Sequence, residues 1–279
     1  MSGRFVRASK FRHVLSEVPK ADACFRELRP ETAGEGNYLV ANSKYFAIGL
    51  QGGGGPVLVH PIASPQRFPA KFPVINVHTA RVLDFDFHPF ISTFIATASE
   101  DGTVKLTSFP SEGLTADIKD AQGTLSGHGK RVGRVQFNPV ADNVLMSAGY
   151  DNTIKIWDIE AQSELFSYDG STDLIQHVIW NRNGSILAST CKDKALRVYD
   201  PRSAAAVQSV EAHQGGKSMR AAFMENHNMI AVTGFSKTSV RKVNLYDPRK
   251  ISTLMGELEI DQSAGVLISH YDEDTSVGF

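Results

Sequence analysis

GYDNTIKIWDI, residues 149–159, opens on Gly149 and an Asp-Asn pair, then alternates: Ile154 and Ile156 flank Lys155, and Trp157-Asp158 follows. Asp-Asn suits a tight turn, and the alternation suits a strand with one face buried. One such hairpin is unremarkable. The fold is decided by whether the pattern Ser147, Asp151, Trp157 recurs.

It does recur. Thr97, Asp101 and Thr107 repeat the offsets in TASEDGTVKLT, and Ser189, Asp193 and Tyr199 repeat them in STCKDKALRVY. A fourth copy, TGFSKTSVRKVNLY, runs from Thr233 to Tyr246 and is three residues longer. The Trp column thus falls at positions 107, 157, 199 and 246. A second column, Phe87, Phe137, Trp180 and Phe223, lies upstream, and three of its members open turn-like peptides: FHP, FNP and WNRNG. Further upstream stand His78, His128 and His213, while the third copy has GSTDLI at that place and no histidine.

A period of roughly 40–50 residues with several short strands per unit is the signature of a WD-repeat β-propeller. One such sheet cannot bury both faces alone; radial packing of blades buries both. Helical periodicity is weak, so the fold class is all-β. YFAIGLQGGGGPVLVH reads as a degenerate first unit, strand, Gly turn, strand, with His60 near the Trp column. The reading divides the chain into a basic segment 1–30, blades at about 31–70, 71–120, 121–165, 166–208 and 209–255, and part of a sixth at 256–279. By the column spacing the sixth would need roughly ten more residues for its third strand. The expectation is therefore a propeller truncated within its sixth blade.

Composition is that of a soluble globular protein: 42% hydrophobic and 21% charged over 279 residues. No apolar run is long enough for a membrane span, and the N-terminus lacks the apolar core of a secretory signal. Cys24 and Cys191 lie far apart, which fits a reducing setting and offers no four-cysteine zinc site. Of the 29 Lys and Arg and the 30 Asp and Glu, seven and three fall in residues 1–30, leaving 22 and 27 for the rest. Those seven are Arg4, Arg7, Lys10, Arg12, Lys20, Arg26 and Arg29. A basic segment on a slightly acidic body suits an acidic partner.

Three motifs imitate chemistry. His128, Ser147 and Asp151 have the residue types of a hydrolytic triad, yet His78, Thr97 and Asp101 repeat them, and a catalytic centre need not recur in each unit. They read instead as the hydrogen-bonded network that ties strands together inside each blade, shared with Trp157, Ser189, Asp193, Tyr199, His213 and Tyr246. Gly52–Gly55 is followed by a strand and not by Gly-Lys-Ser/Thr and a helix, so it is a turn and not a phosphate cradle. No histidine pair has metal-ligand spacing, and no cofactor or metal is expected. Lys130, Arg131 and Arg134 form a basic cluster at the entry to the third blade, without the interleaved aromatic residues of a nucleic-acid surface.

Several phrases carry a more specific likeness. VRASKFRHV followed by FRELR (25–29), LSGHGKRVGRVQFNPVADNVLMSAGYDNTIKIWD (125–158), WNRNGSILASTCKDKALRVYDPR (180–202) and TGFSKTSVRKVNLYDPRK (233–250) resemble coronins. The resemblance implies a seven-bladed propeller that binds actin filaments and regulates branched-actin networks, together with the branched-actin nucleating complex and the severing protein cofilin. It implies a cytoplasmic place at the actin-rich cortex, no enzymatic activity and no nucleic-acid partner. It also implies an N-terminal strand, here SKFRHV (9–14), that closes the last blade, and a C-terminal coiled coil for which these 279 residues have no counterpart. Arg29 matches the place of a filament-binding arginine in the family; Lys20, Lys130 and Arg131 are the accompanying candidates. The competing reading is a WD-repeat interaction scaffold without direct actin binding.

Overall fold

A computed structural model describes residues 19–32, 36–203 and 206–278. The N-terminal readings on Arg4, Arg7, Lys10, Arg12 and SKFRHV lie outside the described residues. The first sheet has three strands, β1 (Leu39–Ala41), β2 (Tyr45–Gly49) and β3 (Val57–Pro61). Residue 75 bridges to its edge through Val57 N–H to Ile75 O, 2.8 Å. The second is β4 (Val82–Phe87), β5 (Phe94–Ser99), β6 (Thr103–Ser108) and β7 (Gly123–Ser126). The third is β8 (Val132–Phe137), β9 (Val144–Gly149), β10 (Ile154–Asp158) and β11 (Ser163–Tyr168). The fourth is β12 (Ile175–Trp180), β13 (Leu187–Cys191), β14 (Ala195–Tyr199) and β15 (Ala206–Glu211). The fifth is β16 (Arg220–Met224), β17 (Met229–Phe235), β18 (Arg241–Asp247) and β19 (Lys250–Asp261). A short pair, β20 (Tyr271–Asp272) and β21 (Val277–Gly278), follows. Every pairing within the sheets is antiparallel.

The two sequence columns become one line of cross-strand partners. Phe137 pairs with Leu145, which pairs with Trp157; Phe87, Ile95 and Thr107 do the same, as do Trp180, Leu187 and Tyr199. These side chains fill the spaces between sheets. Ala96, Leu125, Val135, Leu145 and Trp157 share a core between the second and third, and Met146, Ile156, Val178 and Tyr199 one between the third and fourth. Radial packing thus buries both faces of the central strands, which a single sheet could not do.

The innermost strands also clasp one another through side chains. Asp84 accepts from the backbone N–H of Asn37 (2.9 Å) and Val135 (3.0 Å), and Asp86 accepts from Phe137 (3.0 Å). Gln136 accepts from Trp180 N–H, 3.1 Å, and Gln176 from Met219 N–H, 3.1 Å. Each bond satisfies a donor that inner-edge backbone would otherwise leave unpaired. Burial pushes the Asp86 carboxyl up to about 7, against the pull of the Phe137 N–H. Arg134 belongs to this interior and not to a surface cluster: it is 4% exposed and donates to Gln176 O at 2.7 and 2.9 Å. Strand alternation turns it inward, away from Lys130 and Arg131.

Two sequence expectations need correction. The first concerns blade limits. Boundaries at 120, 165, 208 and 255 precede or cut the outer strands β7, β11, β15 and β19. Residues 256–261, assigned to the sixth unit, are the end of β19. Outer strands have solvent on much of their surface, so they lack the apolar run that marks the inner three; β11 has four exposed residues in a row, Ser163 to Phe166. The second concerns the fourth copy. Tyr246 pairs with Ile230, so Val232, and not Thr233, stands where Ser147 stands in the third sheet. A slip of one residue reverses the face: Thr233 bonds instead to Leu267 O, 3.1 Å.

Candidate functional site

The turn 149–153 sets the geometry of the third blade. Asn152 adopts φ +64, and Gly149 N–H donates to Thr153 O at 3.0 Å. A Cβ on Gly149 would lie 2.3 Å from Asp151 Oδ1 and 2.5 Å from His128 Nδ1, so only glycine lets the loop and the turn close on each other. The result is a four-member relay. Trp157 Nε1–H donates to Ser147 Oγ (2.8 Å), Ser147 lies 2.7 Å from His128 Nε2, and His128 Nδ1 lies 3.1 Å from Asp151. With Nδ1 donating to Asp151, Nε2 is left to accept from Ser147, so each group is satisfied with a neutral ring. Burial holds the His128 pKa below the usual imidazole value although Asp151 pulls the other way. For Asp151 burial pushes upward, but the Gly129 N–H, His128 and the Thr153 hydroxyl outweigh it and hold the carboxyl below its usual range.

The other blades carry this relay in parts. In the second, His78 reaches Asp101 and Thr97, each at 2.8 Å, but Thr107 replaces the tryptophan and its buried hydroxyl has no partner among the described residues. In the fourth, which lacks the histidine, Arg197 and Thr172 take over Asp193: Arg197 Nη1 donates at 3.2 Å and Thr172 Oγ1 at 2.7 Å. Ser189 and Tyr199 remain joined at 3.3 Å. In the fifth, His213 Nε2 meets Val232 O (2.9 Å) and Tyr246 donates to Ala212 O (3.1 Å). Ser236 holds the place of the aspartate and closes its own turn through Val240 N–H, 3.1 Å. The relay varies from blade to blade and lies against buried strands, which suits a structural fastener and not a reactive centre. Among the described residues no group of three His, Cys, Asp or Glu is placed to hold a metal.

The surface candidates sit on loops. Cys24–Glu31 forms a strap across the first sheet. Arg26 N–H donates to Gln66 O (3.1 Å), Phe68 N–H to Arg26 O (3.0 Å), Gln51 N–H to Arg29 O (3.1 Å) and Glu31 N–H to Gly49 O (2.8 Å). Phe25 anchors it in an aromatic cluster with Phe46, His60 and Phe68, 4.6 Å from the Phe46 ring. His60 therefore packs under the strap, on β3 opposite Phe46. Arg29 is exposed, and among the described residues it enters no ion pair; the neighbouring acids are taken, Glu27 by Arg67 at 3.4 Å and Glu31 by Arg81 at 3.9 Å. Lys20 is exposed beside the short turn Ala21–Ala23.

Lys130 is exposed on the loop entering β8, whereas Arg131 is engaged: its guanidinium lies 3.8 Å over the Tyr150 ring and 3.6 Å from Glu100. Glu100 also pairs with Arg81 at 2.9 Å. Glu31, Arg81, Glu100 and Arg131 thus link the strap to the Lys130 loop along one rim. Sequence reasoning did not find Arg81, Glu100 or Arg197. Arg81 and Glu100 lie outside the strands and have no spacing signal until the sheets place them, whereas Arg197 lies on β14, two residues before the Trp column like Lys105 and Lys155, a recurrence that could have found it.

Comparison with known proteins bears on this arrangement. Residues 4–67 match a family described as a domain of unknown function (DUF1899), and residues 71–108, 119–158 and 162–200 match the WD domain, G-beta repeat. The "Coronin-like protein" of Saccharomyces cerevisiae is 35% identical over 291 residues, covering 99% of this chain and 44% of its own. "Coronin-A" of Dictyostelium discoideum is 39% identical over 277 residues, covering 98% and 61%. "Coronin-2A" of Homo sapiens is 34% identical over 278 residues, covering 97% and 53%. The chain spans about half the length of the curated relatives it matches. A crystal structure of the WD40 domain from Toxoplasma gondii coronin superposes with a TM-score of 0.86 at 32% identity, covering 90% of this chain and 66% of that one.

Proposed function

The chain belongs to the coronin family of WD-repeat propellers, a non-enzymatic binding and scaffold fold, and from that premise we propose that it binds actin filaments through the rim that carries Arg29. In this reading it regulates actin organisation and branched-network turnover at the cell cortex, alongside the branched-actin nucleating complex and cofilin. The observation that carries the reading is the state of Arg29. It is exposed on a strap fixed at both ends, and the two acids nearest in sequence are engaged elsewhere. A guanidinium so placed can grip a carboxylate with two parallel hydrogen bonds, and filament surfaces are rich in carboxylates. Lys20 and Lys130 add exposed positive charge that speeds encounter and makes binding weaken with salt. Arg131, already stacked and paired, acts chiefly by holding its loop.

Filament co-sedimentation tests this. Arg29→Asp is expected to weaken pelleting at least tenfold, about 1.4 kcal/mol, with the melting temperature unchanged. A variant that pellets as well as the parent removes Arg29 from the contact. A parent that does not pellet removes direct filament binding and leaves the interaction scaffold.

A further inference from the structure

The strap that carries Arg29 changes partners as it crosses the first sheet. At Arg26 it runs beside residues 66–68, donating to Gln66 O (3.1 Å) and accepting from Phe68 N–H (3.0 Å). At Arg29 it runs just past the end of β2, where Arg29 O accepts from Gln51 N–H (3.1 Å). Between the two, Glu27 takes the left-handed conformation, φ +66, which is uncommon for a residue with a Cβ. Leu28 packs on the core that holds Phe46, Leu58 and Phe68. A cleft of about 790 Å³ opens at this crossing, with Glu27 and Arg29 of the strap on its border.

The floor of the cleft is apolar and its mouth is cationic. Leu50 and Phe68 are 7% and 4% exposed, and the Phe72 ring packs 5.1 Å from that of Phe68; Pro69 and Ala70 form an exposed lip. The strap FRELR and the facing segment RFPAKF (67–72) carry Arg26, Arg29, Arg67 and Lys71 against one acid, Glu27. Glu27 pairs with Arg67 at 3.4 Å, but their side chains are 59% and 70% exposed, so water screens the pair and a second carboxylate can exchange with it. Arg29 lines the same cleft and enters no ion pair among the described residues.

We propose that this cleft seats an apolar side chain of the filament, aliphatic or aromatic, standing next to the carboxylate that Arg29 grips. The inference rests on the filament reading above and adds a second half to the recognised motif. A carboxylate alone would meet Arg29 in water, where an exposed pair contributes little. An apolar neighbour laid on Leu50, Phe68 and Phe72 covers apolar surface and keeps water from the guanidinium, which strengthens the pair beside it. A basic segment would meet four cations, and a segment with acids only would leave the floor wet. An apolar residue flanked by an acid fits both surfaces.

The test fills the cleft without touching a charge. Ala70→Trp in the full chain is expected to weaken filament co-sedimentation at least fivefold. Its dependence on salt should stay that of the parent, whereas Arg29→Asp should flatten it. Ala70→Ser adds no bulk and should pellet like the parent. Pro69→Trp, on the same lip, is the second filling variant, and both are expected to melt cooperatively because the lip is exposed. Ala70→Trp and Pro69→Trp that fold and pellet like the parent, while Arg29→Asp does not, would overturn the apolar seat and leave the Arg29 contact standing. Loss of cooperative melting in both filling variants would show that the cleft is not open space and would also overturn it. If Ala70→Trp weakens pelleting and Arg29→Asp does not, the seat stands and the filament reading loses Arg29. A parent that does not pellet overturns both.

Discussion

The third and fifth blades share one backbone plan and differ in what fastens them. The third has the full relay of Trp157, Ser147, His128 and Asp151; the fifth keeps His213 and Tyr246 and loses the serine and aspartate to Val232 and Ser236. Both blades still form four-stranded antiparallel sheets. The polar relay is therefore not what makes a sheet. Pairing and inter-sheet packing do that, and the relay sets how firmly the top loop is held to the sheet beneath it.

The comparison breaks first at Trp157. The side chain is 2% exposed and packs between the second and third sheets. Trp157→Ala is expected to cost about 3–5 kcal/mol as a large-to-small core change. A loss below roughly 1 kcal/mol in denaturant melts would mean that packing at this column is dispensable.

A smaller and more specific loss should follow Ser147→Ala. The hydroxyl both accepts from Trp157 and lies against His128 Nε2, so its removal strands two buried nitrogens. We expect about 2–3 kcal/mol, measured by the same melts. If the variant is as stable as the parent, the relay contributes no more than the apolar contact at Val232.

The smallest effect is a dependence on pH. His128 binds its proton less readily in the fold than in the unfolded chain. Between its folded pKa and the ordinary value near 6.5, the unfolded chain holds more protons. Stability from this group is thus complete above that value and is lost as pH falls. Asp86, raised to about 7, acts in the opposite sense: its contribution is lost as pH rises toward that value. Comparing the parent with His128→Gln cancels Asp86 and the other histidines. The variant should show a flatter decline in unfolding free energy from neutral to mildly acidic pH. Parallel slopes would mean that His128 titrates alike in both states.

Much of the fold was legible because the recurring residues are the ones that touch across strands. Ser147, Asp151 and Trp157 repeat at fixed offsets since each offset spans one hairpin of constant length. Legibility failed where the hairpin changed length. The fifth blade's turn, Ser236 to Val240, made Thr233 look like the counterpart of Ser147 when Val232 is. It failed also for outer strands, whose exposed residues resemble linker, and for the inner clasp of Asp84, Asp86, Gln136 and Gln176, whose partners are backbone groups of the next sheet. Of the surface candidates, sequence singled out Arg29 only by family likeness and did not show the strap that carries it. It could not tell that Arg131 is already engaged by Glu100 and Tyr150 or that Arg134 turns inward.

The repeats and the sheets are out of step. The matched repeat 119–158 contains β7, the outer strand of the second sheet, and β8 to β10, the inner three of the third. A lineage that lost this repeat would join β6 directly to β11, which could then serve as the outer strand of the second sheet. A lineage that duplicated it would pass the same one-strand debt onward. Copy number can change by whole repeats while each sheet keeps four strands and no orphan edge appears, which makes ring size, more than blade design, the variable that heredity can alter in one step.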